Sequence, residues 1–315
     1  MHGTLRDAYE ARMRRLEAAG GRLYRERIRG RAGGAEQWVE LHEMPGQRLG
    51  SVIWEGARML SSYLQASGRI QTGARVLELG AGVGLCGILA GIQGAHVVLT
   101  EKEDETLELL EKNAARNAAR IAAAGGSCRV AALDWTNPAE TEAVLDMFSS
   151  YVDLVLCSDV VYREDLCTPL VRVLEQVLWR SCKAGSPAFV LLSYKERGVG
   201  ASFFKALEAA GLSCSEVLDY DAALVSAQGG RVAGPASSGI KAGSTGADAT
   251  RPEDSVPGEN MALPCGVPAP SNTDFENGPQ RLFEIRLPRA AFLMHRSRST
   301  PAAAEAPQAV VAQVV

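Results

Sequence analysis

Residues 76–87 read VLELGAGVGLCG. A short apolar run, Val76–Leu79, carries a single acid, Glu78, and is followed by Gly80, Gly82 and Gly84. Leu85 then opens a second apolar stretch, LCGILAGIQG, that stops at Gly94. Strand, glycine turn and helix in this order make a backbone cradle. Glycines without a β-carbon let the main chain approach a ligand, and the first turn of the helix offers unpaired N–H groups. A tight turn with no ligand would use the same residues, so the surrounding chain must decide.

Working outward, strand-like segments recur at RVLEL (75–79), HVVLT (96–100), CRVAAL (128–133), DLVLCS (153–158), AFVLLSY (188–194) and CSEVLDY (214–220). Most are short, continuous and apolar, as strands buried on both faces are. Helical patterns separate them. DETLELLEKNAARNAARIAAAGG is an amphipathic run closed by two glycines, and ASFFKALEAAG also ends on glycine. LCTPLVRVLEQVLWRSC sets Leu170, Val173, Leu174, Val177 and Leu178 at helical spacing, with Pro169 expected in its first turn. This alternation predicts a doubly wound, mostly parallel α/β sheet with right-handed crossovers.

Upstream, RLYRERI and QWVELHEM suggest a β-ribbon, so residues 1–50 are expected to form a helix and β-ribbon extension. The main domain is expected over 51–225, completed by the strand RLFEIRL within 281–289. Residues 226–280 are dense in Gly, Pro, Ala and Ser and read as a disordered insertion, with a second disordered stretch at 290–315. Such an insertion is tolerable because loop-closure cost grows only logarithmically with length.

Composition narrows the function classes. The 315 residues carry a formal net charge of -4 and are 46% hydrophobic, enough for a large core and without a global basic field for nucleic acid. No apolar run reaches the roughly 18 residues of a membrane span. The 7 cysteines and 4 histidines lack metal-ligand spacing, so no metal is expected and the thiols read as reduced. The arginine-rich N-terminus is interleaved with Asp7, Glu10, Glu17 and Glu26, which fits a solvated helix better than a transit peptide. The cytoplasm is the default location; the nucleus and an organelle address stay open.

Several side chains fall where such a sheet binds ligands, at the strand C-termini. Glu78 would repel a pyrophosphate but welcome a cationic amino-acid end, which favours S-adenosylmethionine over a dinucleotide for Gly80 and Gly82 to hold. Glu101, at the end of the second strand, can accept hydrogen bonds from both hydroxyls of a ribose. Asp134, by side chain or backbone amide, can meet an adenine that Trp135 covers. Asp159 and Tyr162 follow the fourth strand beside the expected methyl donor, with Ser158 before them on the cofactor side. Asp159 can orient an incoming amine, and Tyr162 can line its channel through cation–π contact. Asp159 could also serve as a helix N-cap.

GSVIWEGARMLSSYL, VLELGAGVGLCGILA, VVLTEKED, LDW and SDVVY together resemble the seven-β-strand S-adenosylmethionine-dependent methyltransferases of family sixteen, rich in protein-lysine methyltransferases. The resemblance covers about residues 36–225 and the strand 281–287. It implies a seven-stranded sheet, methyl transfer to a lysine ε-amine of a protein, a monomer, and a place for Trp54 near the cofactor. It makes chaperones and translation factors the first substrates to try. The family often has Asp where this chain has Glu101. Transfer to a protein histidine, an N-terminal amine or a small molecule remains open, as does a noncatalytic scaffold. A nicotinamide oxidoreductase is disfavoured by Glu78, and an RNA substrate by the lack of a basic face.

Overall fold

The computed structural model describes residues 21–28, 37–45, 47–102, 104–149, 151–196, 198–217 and 279–288. The expected helix at the start of the chain, nearly all of the 226–280 insertion and the stretch 290–315 lie outside the described residues. Gln280 is an exception to the insertion: it opens a strand.

Two strands, β1 (Arg22–Ile28) and β2 (Gln37–Glu43), pair antiparallel from Arg22↔Glu43 to Ile28↔Gln37. The main sheet contains β3 (Arg75–Leu79), β4 (His96–Glu101), β5 (Ser127–Ala132), β6 (Leu154–Ser158), β7 (Phe189–Lys195), β8 (Ser213–Glu216) and β9 (Gln280–Arg286). Its order is β5-β4-β3-β6-β7-β9-β8. The run from β5 to β7 is parallel, and β9 lies antiparallel between β7 and β8. The chain leaves β3 towards β4 on one side and reaches β6 on the other. The crevice therefore opens at the C-terminal ends of β3 and β6, where the strand order reverses.

Strand alternation sends successive side chains to opposite faces. Leu77 and Leu79 join one core with Val155, Cys157 and the helices α4 (Pro138–Asp146), α5 (Glu164–Lys183) and α6 (Gly200–Ala209). Val76, Leu154 and Leu156 join the other, against α1 (Glu55–Ser67), α2 (Leu85–Ile92), α3 (Glu105–Ala123) and the ribbon. Two layers of helices thus sandwich the sheet. No helix among the described residues is long and apolar enough to cross a membrane.

The ribbon is fastened by two asparagines one helical turn apart on α3. Asn113 Oδ1 accepts from His42 N at 2.7 Å, and its Nδ2 donates to His42 O at 3.1 Å and Val83 O at 2.9 Å. Asn117 repeats the exchange with Glu40 N and O at 3.1 and 2.7 Å. Both side chains are fully buried, so they complete the β2 edge as a neighbouring strand would.

Two helices differ from the expectation. α5 begins at Glu164, so Pro169 lies inside it and not in its first turn. The acids Glu164 and Asp165 open the helix, and Pro169 forgoes one backbone bond a turn later. α4 was not anticipated; Asn137 caps it by accepting from Ala139 N at 3.1 Å, and Pro138 supplies a preset first turn.

Candidate active site

The glycine turn after β3 is left-handed three times: Gly80 at φ 63°, Gly82 at 54° and Gly84 at 92°. Space as well as backbone angle requires glycine here. A β-carbon on Gly82 would stand 2.9 Å from Gly50 O, and one on Gly80 would stand 3.0 Å from Val160 Cγ1 and 3.2 Å from Trp135 Cζ2. The turn is tied to β4: Ala81 N donates to Thr100 O at 2.9 Å, and Gly82 N to Glu101 Oε2 at 2.9 Å. Glu101 Oε1 accepts from Lys102 N at 3.0 Å. Burial raises the Glu101 carboxyl above its ordinary range, and the two amides oppose that rise.

A cavity of about 370 Å³ opens above this turn. It brings together Trp54, Gly80, Gly82, Glu101, Trp135, Ser158, Asp159 and Tyr162 from the sequence-predicted set. A further wall comes from Leu49, Gly50, Val52 and Ile53, just before α1, and from Ala57 within it. Trp54 is held over the opening by its indole N–H, which donates to Leu49 O at 2.7 Å. That segment was not anticipated in full. Its residues from Gly50 on lay in the stretch GSVIWEGARMLSSYL that carries the family resemblance, which assigned only Trp54; Gly50's backbone meets Gly82, and its β-carbon would stand 2.6 Å from Thr106 Cγ2.

Two of the predicted residues are not brought to the cavity. Glu78 points to the opposite side of the strand from the neighbouring Leu77 and Leu79 and is fully buried. Its Oε2 accepts from Gly87 N at 2.8 Å, inside α2, and burial pushes its carboxyl up to about 8. The acid therefore braces the helix after the turn. Asp134 turns outward to Lys102 Nζ at 2.8 Å and to Thr136 N and Oγ1 at 2.9 and 2.7 Å. The bonds from Lys102 and Thr136 hold its carboxyl down at about 2. Its backbone N–H donates to Glu140 Oε2 at 2.6 Å, so neither group faces the cavity.

Asp159 is the one non-glycine residue with positive φ among the described residues, at 56°. A left-handed non-glycine residue costs on the order of 1–2 kcal/mol and marks a position held by its surroundings. Those surroundings are β7: Asp159 N donates to Ser193 O at 2.9 Å, and Lys195 N donates to Asp159 Oδ1 at 3.3 Å. Asp159 does not cap α5, whose N-cap is Arg163. Tyr162 is 40% exposed at the rim, with its hydroxyl pKa raised by burial and by the Glu101 charge.

The cavity wall holds two carboxyl groups, Glu101 and Asp159, and no Lys, Arg or His among the described residues. This acceptor set suits a ligand with a hydroxyl pair and a positive charge. It offers a pyrophosphate no cation. Gly80 and Gly82 leave a backbone cradle that a β-carbon could not share, and Trp54 and Trp135 give apolar cover. The residues present therefore fit S-adenosylmethionine, an adenosine carrying a sulfonium and an ammonium.

Comparison with known proteins places the chain in a family. A family model described as lysine methyltransferase matches residues 35–210. Methyltransferase-like protein 22 of Mus musculus is 30% identical over 156 residues, which is 46% of this chain and 39% of the relative. Protein N-lysine methyltransferase METTL21A of Xenopus tropicalis is 34% identical over 124 residues, 39% of this chain and 53% of the relative. EEF1A lysine methyltransferase 3 of Mus musculus is 36% identical over 121 residues, 38% of this chain and 47% of the relative. The chain thus spans about half or less of the length of these relatives. The matched region holds the glycine turn, Glu101 and the Ser158–Tyr162 strand end, and on that match the chain belongs to the lysine methyltransferase family.

Proposed function

We propose that this protein transfers a methyl group from S-adenosylmethionine to a lysine ε-amine of a protein substrate. The observation that carries the reading is the meeting of the glycine turn, Glu101 and Asp159 in one cavity that has carboxyls and, among the described residues, no basic side chain. Glu101 accepts the ribose hydroxyls, and its bond to Gly82 N fixes it relative to the turn. The turn's backbone and the aromatic faces of Trp54 and Trp135 hold the rest of the cofactor. When bound, S-adenosylmethionine supplies a methyl group on a sulfonium that departs as a neutral thioether.

Asp159 accepts a hydrogen bond from the target amine and orients its lone pair, while Tyr162 shields the channel from water. The amine must shed one proton before it attacks. Desolvation lowers its pKa against the opposing pull of the Asp159 carboxylate, and the proton passes to solvent as the amine enters, so no dedicated base is required. Positioning then supplies most of the acceleration. A translation factor is a reasonable first substrate, because one relative is named for EEF1A. A monomeric state and a cytoplasmic location belong to the same proposal; light scattering and fluorescent tagging check them.

Calorimetric titration with S-adenosylhomocysteine and with NADH is the first test. Micromolar binding of the first and none of the second is expected. Labelled donor with a cell lysate should then mark a protein band, and the label should reside on lysine after hydrolysis. Binding without transfer to any protein would instead make the chain a scaffold.

A further inference from the structure

The β-ribbon ends beside the cavity, and one of its side chains has no task in the scheme above. The inner face of β2 runs Val39, Leu41, Glu43: two apolar residues and then an acid, all buried. A carboxylate taken out of water costs free energy unless its oxygens are engaged. Here both are. Glu43 Oε2 accepts from Nε of Arg22, its cross-strand partner on β1, at 2.6 Å, and Oε1 accepts from Ile53 N at 2.7 Å. The first bond stays within the ribbon. The second leaves it for a residue of the cavity wall.

That bond acts at the foot of the wall. Met44 N, next along the chain, donates to Ser51 O at 2.8 Å, so consecutive residues of the ribbon end hold Ser51 and Ile53. Leu49 and Gly50 sit just before this pair of ties. Leu49 O receives the Trp54 indole N–H, and Gly50 O abuts the glycine turn at Gly82. The other side of the cavity hangs from the residue before Glu43. His42 N and O are held by Asn113, whose Nδ2 also donates to Val83 O in the turn at 2.9 Å. Neighbouring residues of β2 thus fasten two sides of one cavity. Replacing a buried ion pair by apolar residues is often neutral or stabilising. A leucine at 43 would continue the row of Val39 and Leu41 and release Arg22 to water, where most of it already lies. Packing of the ribbon does not call for an acid here; the Ile53 N–H does.

We propose that Glu43 is a positioning residue for the cofactor cavity: through the Ile53 N–H, its carboxylate sets the wall from Leu49 to Trp54 against the glycine turn. The inference rests on the reading of the cavity as a site for S-adenosylmethionine. It makes the ribbon, which contributes no lining side chain among the described residues, part of the binding machinery. The Ile53 bond and the Arg22 bond then have separate consequences. Loss of the first frees the wall and weakens cofactor binding. Loss of the second alone leaves the wall in place.

The test uses the full chain with Glu43→Leu, which removes both bonds, and Glu43→Gln, whose amide oxygen still accepts from Ile53 N while its NH2 group no longer pairs with Arg22. Calorimetry with S-adenosylhomocysteine, run well below the melting transition, reads the folded chain alone. For Glu43→Leu we expect the Kd raised tenfold or more, and for Glu43→Gln a Kd within twofold of wild type. With tritiated S-adenosylmethionine and heat-treated lysate, Glu43→Leu should raise the donor KM and keep the rate at saturating donor within threefold. A Glu43→Leu chain that binds as wild type does would overturn the inference, whatever its melting temperature, because the role would then be structural. So would equal weakening in Glu43→Gln, which would assign the effect to the Arg22 pair. If Glu43→Leu does not fold, amide hydrogen exchange on the wild type decides: saturating S-adenosylhomocysteine should slow the Ile53 N–H tenfold or more, and unchanged exchange there overturns the inference. A wild type that does not bind S-adenosylhomocysteine removes the cofactor reading and the inference with it. Binding by the wild type with an unaffected Glu43→Leu removes the inference alone.

Discussion

Glu101→Gln changes one oxygen to an NH2 group and leaves the shape of the side chain intact. In the wild type each carboxyl oxygen accepts one backbone N–H, from Gly82 at 2.9 Å and from Lys102 at 3.0 Å. Whichever way the new amide turns, its NH2 faces one of those N–H groups, so one bond is lost and two donors are opposed. The same NH2 cannot accept from a ribose hydroxyl. A hydrogen bond to a charged group contributes about 1.5–3 kcal/mol, so loss of one cofactor bond costs about 2 kcal/mol. That is roughly a 30-fold rise in the Kd for S-adenosylhomocysteine. The pH dependence has a definite sign. Because burial raises the Glu101 carboxyl, lowering the pH neutralises the wild-type side chain early and brings it closer to the variant. Calorimetry at pH 8 and pH 5.5 should show the full gap at the higher pH and a narrower one at the lower. Equal affinities at pH 8, or a gap that widens on acidification, would refute the ribose assignment.

Asp159→Asn keeps a residue that tolerates the left-handed backbone, so cofactor affinity should stay within threefold while label transfer falls at least tenfold; undiminished transfer would remove Asp159 from the acceptor side. Asn113→Ala strips partners from His42 N and O and from Val83 O, all at a fully buried side chain. Urea denaturation should register a loss of about 2–4 kcal/mol, from unpaired buried groups that cost about 1–3 kcal/mol each, and a loss below 1 kcal/mol would mean that water replaces the side chain. Glu78 has a folded-state pKa raised to about 8 from 4.5, so the folded chain holds a proton that the unfolded chain releases as pH rises through that window. Its contribution to stability therefore falls between pH 4.5 and 8, and Glu78→Gln should flatten the fall in melting temperature over that range; parallel profiles would place its proton elsewhere.

Legibility followed the strength of the local signal. β3 was read to the residue because apolar residues fill it and glycine ends it, and the switch in strand order follows from the β-α alternation. The side of the strand was harder to read. Glu78 sits one position from Leu77 and Leu79, and alternation sends it to α2, yet an acid beside a glycine turn invites a ligand role. Asp134 begins an Asp-x-Thr turn whose own hydrogen bonds consume it, a local competitor to ligand contact. α4 buries only Thr141, Val144 and Leu145, too little periodicity to outweigh its polar surface, although Asn137-Pro138 announced its start. Gln280 was assigned to the insertion because a polar residue after Gly-Pro carries no strand pattern. Its place opposite Lys195 is a tertiary fact. The wall at Gly50–Ile53 was legible only through the family resemblance of GSVIWEGARMLSSYL, because the β2 ribbon and α1 position it from outside the strand–helix repeat.

The position of β9 dictates an order of assembly. Among the described residues β8 joins the sheet only through β9, and residues 217–279 must be made before β9 exists. A nascent chain that has emitted β7 and β8 therefore carries an uncapped strand edge from Phe189 to Lys195. Glu196 and Glu216 also wait for Arg281, which later joins them at 3.1 and 3.2 Å. Unpaired edges recruit other chains. Any product stopped short of residue 280, by premature termination or by cleavage within the preceding segment followed by loss of the C-terminal piece, exposes that edge and should be recovered as aggregate. The last strand is thus the latch on the sheet.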